Sequence, residues 1–580
     1  FVEIQKLLKR AIQDLVIDAK LDGLEVLSMT GRALFFRFLI DRRIVDETDL
    51  KEICPAALKD QDLKAVFSTA ERAAQTSAWL DETFNGDLLP LVKQVTSTTK
   101  PTDRRKAYEK TYKDAGKASE DIVFRHLEAI LRGWDQVQGT TQPHLPIDWD
   151  DLNFRHIPIG VLSQVYEDFS HQVDQSDSLS RSVHYTPRAL AKLLVDQALG
   201  GLDSPHEARI LDPSCGAGVF LVLALRELVR LRWEHDRQQH GDKARRPGKP
   251  VIQSILHRQI CGFDISESAL RLAALGLYIT VIELNEITRP PSEHHAGKAL
   301  QDLVLFDQRT EEEATESGFV AGSLGEAVDR ARFDGVFDVV VGNPPWTSLH
   351  GQAKTKVDAA GTRIAKRVLE CRGLKALGAT YQNPGGVPDV PFLWRAMEWA
   401  KPGGIIAFAL EAGLILTQSG PGTKARNALF QAVSVTGILN GSDLEKTAVW
   451  ECHDHPWILL WARNEQPNLD EQTFHLLTPI RENELANKGE FRLDYQSAYP
   501  IPVRKVIELS WLCKALAIGT MLDVKVMEKM VAAAKLQSVG TFWERAGLEC
   551  GNGFSLKNGT KNPPQWLLDL PVFEPPNAQT

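Results

Sequence analysis

Three short stretches hold residues whose types and spacing could do chemistry. The first is Arg209-Ile-Leu-Asp-Pro-Ser-Cys-Gly-Ala-Gly-Val-Phe220. Its pattern predicts a strand, a tight glycine turn and a helix start. Gly216 and Gly218 would let the backbone come close to a ligand. Asp212, at the strand end, can accept hydrogen bonds from an amine or a hydroxyl. Position 221 is Leu, so the turn departs from the pyrophosphate fingerprint G-x-G-x-x-G. An acid ahead of the glycines also disfavours a phosphate and suits a cationic, amino-acid-bearing ligand. A lone G-x-G is a weak signal and equally describes a plain strand–helix turn.

The second stretch ends in Gly262-Phe-Asp-Ile-Ser266. A carboxylate at the end of a second strand commonly grips a ribose diol. Asp264 could equally cap the helix beginning near Glu267. The third is Phe337-Asp-Val-Val-Val-Gly-Asn-Pro-Pro-Trp346. Here a buried strand would deliver Asn343 to its carboxyl end. Two prolines fix the backbone and free the Pro344 carbonyl from ladder pairing. The Asn343 side chain and that carbonyl together offer two acceptors to one exocyclic amino group. Trp346 is expected to supply a flat stacking surface.

These residues need a scaffold. From 160 to about 465, short β-branched runs (RILDP, RQICGFDI, FDVVVGNPP, GGIIAFAL, VTGILNG, PWILLWAR) alternate with amphipathic stretches such as GVFLVLALRELVRL. That alternation predicts an α/β fold, a mainly parallel sheet with helices on both faces and functional residues at the carboxyl ends of its strands. Residues 1–150 are expected to form a helical domain, with Gln142-Pro143, Pro146 and Pro158 near the boundary. Residues 151–465 form the expected catalytic domain. The signals blur over 466–580, which combines a helical stretch with a glycine-rich one.

The three stretches resemble a known set. DPSCGAGVF is similar to the S-adenosylmethionine (AdoMet) motif, and NPPW to the catalytic motif, of N6-adenine DNA methyltransferases. Val183-His-Tyr-Thr-Pro187 resembles the Y-T-P motif that precedes the AdoMet motif in the gamma arrangement of that family. The match covers about residues 155–465, and the three motifs together are specific. Large restriction–modification enzymes and methyltransferases of BREX- and DISARM-like phage defence share the layout.

The resemblance implies a Rossmann-like AdoMet-dependent core with a C-terminal target-recognition region beginning after about 466. It implies AdoMet contact by Tyr185, Thr186, Pro187, Asp212, Pro213, Cys215, Gly216, Gly218, Phe220, Asp264, Ile265 and Asp302. It assigns catalysis to Asn343, Pro344, Pro345 and Trp346, with no metal. The implied substrate is a flipped-out adenine in double-stranded DNA. Other restriction or defence subunits are the implied partners. Two departures stand out: Ser182, Val183 and His184 occupy the place where a glycine is usual, and a long insert separates Gly218 from Asp264. Two alternatives remain open at this stage. One is an AdoMet-binding DNA-recognition subunit with little activity alone. The other is a methyltransferase acting on RNA or on protein glutamine.

Composition bounds these readings. The 580 residues are 43% hydrophobic and 25% charged, which excludes a disordered or collagen-like chain. Seven scattered cysteines suggest a reducing, cytoplasmic setting rather than a disulfide framework. A net charge of -9 argues against a basic coat protein, so DNA contact must be local. Lys100, Arg104, Arg105, Lys106, Lys110 and Lys113 suit a solvated helix face. Seven basic residues between Lys354 and Lys375 follow NPPW directly and could touch phosphates or equally form a solvated helix face. Cys452-His-Asp-His455 has the wrong spacing for zinc and is expected to be a hairpin tip. No membrane span or signal peptide is expected. FVEIQKLLKR lacks an initiator Met and PVFEPPNAQT lacks a closing element, so a piece of a longer protein is expected.

Overall fold

The computed structural model describes residues 12–84, 100–132, 186–285, 300–308, 330–346, 351–384, 387–418, 420–450, 455–494 and 498–533, with a few single positions besides. Two compact units divide the chain at Ile518.

The first unit begins with helices α1 (Gly23–Asp41), α2 (Ala70–Thr83), α3 (Pro101–Ala118) and α4 (Ile122–Arg132). Their apolar faces bury Phe35, Phe36, Phe38, Phe67 and Leu127. The same core holds a charge. Arg32 pairs with Asp81 at 2.9 Å, and Tyr108 donates to the same carboxylate. Each charged group is matched where water is excluded, as burial requires. On α3, Lys106 and Lys110 are exposed and Lys113 pairs with Glu109 at 2.6 Å, whereas Arg104 is buried.

Helix α5 (Arg188–Gly200) opens the α/β part. It continues through β1 (Ile210–Asp212), α6 (Val219–His240), α7 (Lys249–Gln259), β2 (Ile260–Asp264), α8 (Glu267–Leu284) and β3 (Leu305–Asp307). Then follow β4 (Phe337–Gly342), α9 (Gly351–Cys371), α10 (Asp389–Trp399), β5 (Ala400–Glu411), α11 (Gly420–Ala432), β6 (Ser434–Asn440) and β7 (Trp457–Arg463). With β8 (Thr473–Leu477) and β9 (Tyr499–Pro502), the sheet order is β3-β2-β1-β4-β5-β7-β6-β8-β9. From β3 to β5 all pairs are parallel, while β7 runs antiparallel between β5 and β6. The central strands are nearly continuous apolar runs because helices cover both faces. Val339, Val340 and Val341 are all buried.

The boundary expected at 465 falls inside this sheet. Strands β8 (Thr473–Leu477) and β9 (Tyr499–Pro502) extend it, β8 parallel to β6 and β9 antiparallel to β8. The helical layer is also tied to the sheet layer. Arg42 and Arg226 both pair with Glu283 of α8, and Phe84 meets Tyr278 edge-on at 5.9 Å. The long insert after Gly218 becomes the exposed end of α6 and the extra helix α7. Among the described residues no helix is long and apolar enough to cross a membrane.

In the second unit, helix α12 (Met521–Ala532) starts from a capping box between Thr520 and Asp523 and exposes Leu522, Val526 and Met530.

Candidate active site at the carboxyl edge of the sheet

Strand order reverses at β1. The chain winds outward from β1 through β2 to β3, then crosses back to lay β4 on the other side. In open α/β sheets the crevice beyond such a reversal is where ligands bind. Asp212 and Asn343 both stand there, at the ends of β1 and β4.

Backbone chemistry builds the glycine turn. Cys215 N–H donates to Phe263 O at 2.9 Å, Gly216 N–H to the Asp264 carboxylate at 2.8 Å, and Gly218 N–H to Cys215 O at 2.8 Å. Gly216 and Gly218 have φ of 51° and 84°, a region that favours glycine. Gly218 has a second reason. A Cβ there would lie 2.8 Å from Ala273 Cβ, so its bare backbone lets α6 start against α8. This packing requires glycine at 218 independently of any ligand.

Asp264 uses both oxygens on backbone: Oδ2 takes Gly216 N–H and Oδ1 takes Ser266 N–H at 2.8 Å. Helix α8 is capped by Ser266, whose hydroxyl accepts from Ala269 N–H, so Asp264 is not the cap. Burial pushes the Asp264 carboxyl up, against the pull of these donors.

Asp212 is fully buried. Its Oδ1 accepts from Ser214 N–H at 3.1 Å, while Oδ2 has no hydrogen-bond partner among the described residues. Burial raises its pKa well above the usual carboxylate range, and the nearby Asp264 charge adds to the rise. A cation or an amino group brought to Oδ2 would supply the missing partner. Gly342 makes the approach to β4 possible, since a Cβ there would sit 2.7 Å from Asp212 Oδ1 and 3.5 Å from Pro213 Cδ. Gly262 likewise leaves room for Leu221 and for the Cys215 thiol. Cys215 and Phe220 are buried packing residues, and Ile265 is half-buried.

Thr186 and Pro187 directly precede α5, with Pro187 at its N-cap. That helix runs antiparallel to β5: Leu194 O accepts from Trp461 and, further on, Gly201 O accepts from Arg463. Ile405, the register partner of Arg463, lies toward the amino end of β5, so Thr186 and Pro187 come to the carboxyl edge. Thr186 is buried there. Tyr185 and Cys452–Asp454 lie outside the described residues.

Asn343, Pro344, Pro345 and Trp346 follow β4 directly. Asn343 and Pro345 are half-buried and Pro344 is buried. The expectation of an open Trp346 platform is corrected. Trp346 is 5% exposed, its indole N–H donates to Ala409 O at 3.3 Å, and its ring lies 5.1 Å from that of Trp450. It pins the turn to β5 because a large indole finds a dry, hydrogen-bonded slot there.

Asp302 is corrected too. It is exposed in a left-handed turn (φ 61°) before β3, at the amino edge of the sheet. The acid at the site edge is Asp307, in register with Asp264. A three-residue strand gives too little pattern to tell its two ends apart.

Sequence reasoning also missed Asp389. This buried residue opens α10, and its carboxylate accepts Glu411 N–H at the carboxyl end of β5 at 3.2 Å. Burial and the Glu411 charge push its pKa up to about 7. The signal was a lone acid just after the Gly-Gly-Val-Pro stretch at 385–388.

Residues 158–444 match the family model described as N-6 DNA Methylase. This stretch is an N-6 DNA methylase domain. The same chain is 26% identical over 261 residues to the adenine-specific methyltransferase PglX of Streptomyces coelicolor. That alignment takes in 41% of this chain and 19% of the relative's own length. Two solved structures are similar at low identity. The type I restriction–modification methyltransferase subunit from Streptococcus thermophilus has a TM-score of 0.47 and 14% identity, covering 89% of this chain and 98% of that one. The type IIL restriction–modification enzyme MmeI, in complex with DNA, has a TM-score of 0.49 and 15% identity, covering 86% and 60%. The methylase domain thus contains the glycine turn, Asp264 and Asn343, and β5.

Proposed function

We propose that this chain transfers a methyl group from AdoMet to N6 of adenine in double-stranded DNA, as part of a restriction–modification or phage-defence system. One observation carries the reading: Asp212 packs against Gly342, the residue directly before Asn343, at the reversal point of the sheet. The name of the relative PglX, an adenine-specific methyltransferase, points the same way.

The residues present fit AdoMet. The buried, unpartnered Asp212 Oδ2 suits a cationic amino-acid group, and the glycine turn leaves its backbone beside that position. Ile265 and Asp307 would border the adenosine, while Asp264 holds the turn that shapes the pocket. When bound, AdoMet supplies an electrophilic methyl group.

The chain's own residues act on the amine. Adenine N6 is a poor nucleophile because its lone pair is delocalised into the ring. A base turned out of the duplex would place its amino group before Asn343. The Asn343 side-chain carbonyl and the Pro344 carbonyl would accept hydrogen bonds from its two N–H groups, favouring a tetrahedral nitrogen with a free lone pair. Positioning and electrostatics supply the acceleration. Trp346 holds the turn in place from behind.

The basic stretch after the site divides in two. Arg367 pairs with Glu398 and Arg372 donates to Asn464, both at the amino side of the sheet, so they are structural. Lys354 and Lys356 are exposed in the first turns of α9, next to the site, and are the proposed phosphate contacts.

The test is tritiated methyl transfer from AdoMet to unmethylated duplex DNA, RNA and a protein panel. Label recovered as N6-methyladenine in DNA supports the reading. Label in RNA or protein alone overturns the substrate. AdoMet binding without transfer to any of them would leave a recognition subunit.

A further inference from the structure

The opposite edge of the sheet holds a second cleft, of about 60 Å³, at the amino ends of β1, β2 and β4. Three arginines line it: Arg209 just before β1, Arg258 near the end of α7, and Arg332 in the short helix Arg330–Phe333. They are far apart in sequence, so only the fold gathers them. All three are exposed.

Two of the guanidinium groups are positioned by aromatic rings. Arg209 lies over Phe337 at 5.7 Å, and Arg332 over Phe306 at 4.6 Å and Phe333 at 5.0 Å. Such contacts fix a cation without neutralising it. Arg332 also donates to the Asp302 carbonyl at 3.3 Å. Among the described residues none of the three arginines pairs with a carboxylate. The nearest acid on the strand side, Asp338, is engaged by Lys401 and by Arg209 N–H. Beneath them lies the buried Cys261 thiol, toward which both Arg209 and Arg332 direct their charge.

Elsewhere on this edge arginines are matched: Arg330 with Asp334, Arg367 with Glu398, Arg395 with both acids. Three unpaired cations lining one cleft, two of them ring-held, are therefore a local excess. A cleft of this size takes one oxyanion group, and the planar guanidinium fork matches a phosphate.

We propose that Arg209, Arg258 and Arg332 form a binding site for a phosphate dianion, free or as the terminal group of a nucleotide. The site lies on the edge opposite Asp212 and Asn343 and is separate from the methyl-transfer chemistry.

The probes are inorganic phosphate and ATP, titrated into the full chain by calorimetry and thermal shift against chloride at equal ionic strength. The variants are Arg209→Met with Arg332→Met, which keep the apolar stems against the rings, and Arg258→Ala alone. Expected is a phosphate-dependent rise in Tm that the double variant loses and the single variant weakens, with AdoMet binding intact in all. Stronger binding of ATP than of phosphate identifies a nucleotide, and equal binding identifies the free anion. A response no greater than that to chloride, or one retained in the double variant, overturns the site. AdoMet binding by the double variant shows that a lost response is not a folding failure.

Discussion

Asp264 Oδ2 accepts the Gly216 N–H at 2.8 Å, so the end of the second strand holds the turn that follows the first. A residue expected to grip a ribose hydroxyl is already the clasp of the loop. Asp264→Ala removes two backbone-to-carboxylate bonds, worth roughly 2–4 kcal/mol together. The variant should lose AdoMet affinity measured by calorimetry and show a lower Tm. Asp264→Asn should recover part of both, because one oxygen remains. A variant with unchanged affinity and Tm would remove Asp264 from this role.

The contact of Asp212 with Gly342 makes a sharper prediction. Gly342→Ala forces a methyl group to within 2.7 Å of the Asp212 carboxylate. Overpacking of this kind costs about 1–3 kcal/mol. Because it displaces Asp212 and Asn343 together, both AdoMet binding and methyl transfer should fall. A loss of transfer alone would mean that the strain relaxes toward β4 only.

Asn343→Ala separates binding from chemistry. Loss of one preorganised polar contact in a reacting site lowers rate by about 100-fold or more. Single-turnover methyl transfer should fall at least that far while AdoMet affinity stays at the wild-type value. Near wild-type turnover would sink the assignment.

Asp389 should leave a signature in the pH dependence of stability. Its folded pKa of about 7 stands above the ordinary 3.8. Between those values the unfolded chain has released a proton that the folded chain keeps. Stability from this group is therefore complete below about 4 and declines by up to ~1.4 kcal/mol per pH unit until about 7. Asp389→Asn should flatten that stretch of a denaturation series run from pH 4 to 8. An identical slope in the variant would place the titration elsewhere.

The first turns of α9 carry the DNA-contact prediction. Replacing Lys354 and Lys356 by Ala should lower the slope of log affinity against log salt by about 0.9 per lysine. Replacing Arg367 should instead cost stability, since it serves Glu398. Unchanged salt dependence in the double lysine variant would discard phosphate contact there.

The sequence by itself determined the strands that matter and the residues at their ends. β1, β2 and β4 are apolar runs buried on both faces, and each stops at Asp212, Asp264 or Gly342-Asn343. Buried parallel strands leave that local mark, and an Asn-Pro-Pro turn cannot continue a ladder. The alternation with helices was legible for the same reason.

Only the tertiary structure decided how those ends are used. The packing of Gly218 on Ala273, whether Trp346 lies open or against Ala409 and Trp450, and whether Asp302 or Asp307 reaches the site are long-range facts. So are the pairing of Asp389 with the end of β5 and the gathering of Arg209, Arg258 and Arg332. Local patterning sets which residues form an element. Which groups then meet depends on the order in which strands are laid side by side, and the crossover from β3 to β4 joins residues that no short stretch of chain brings together.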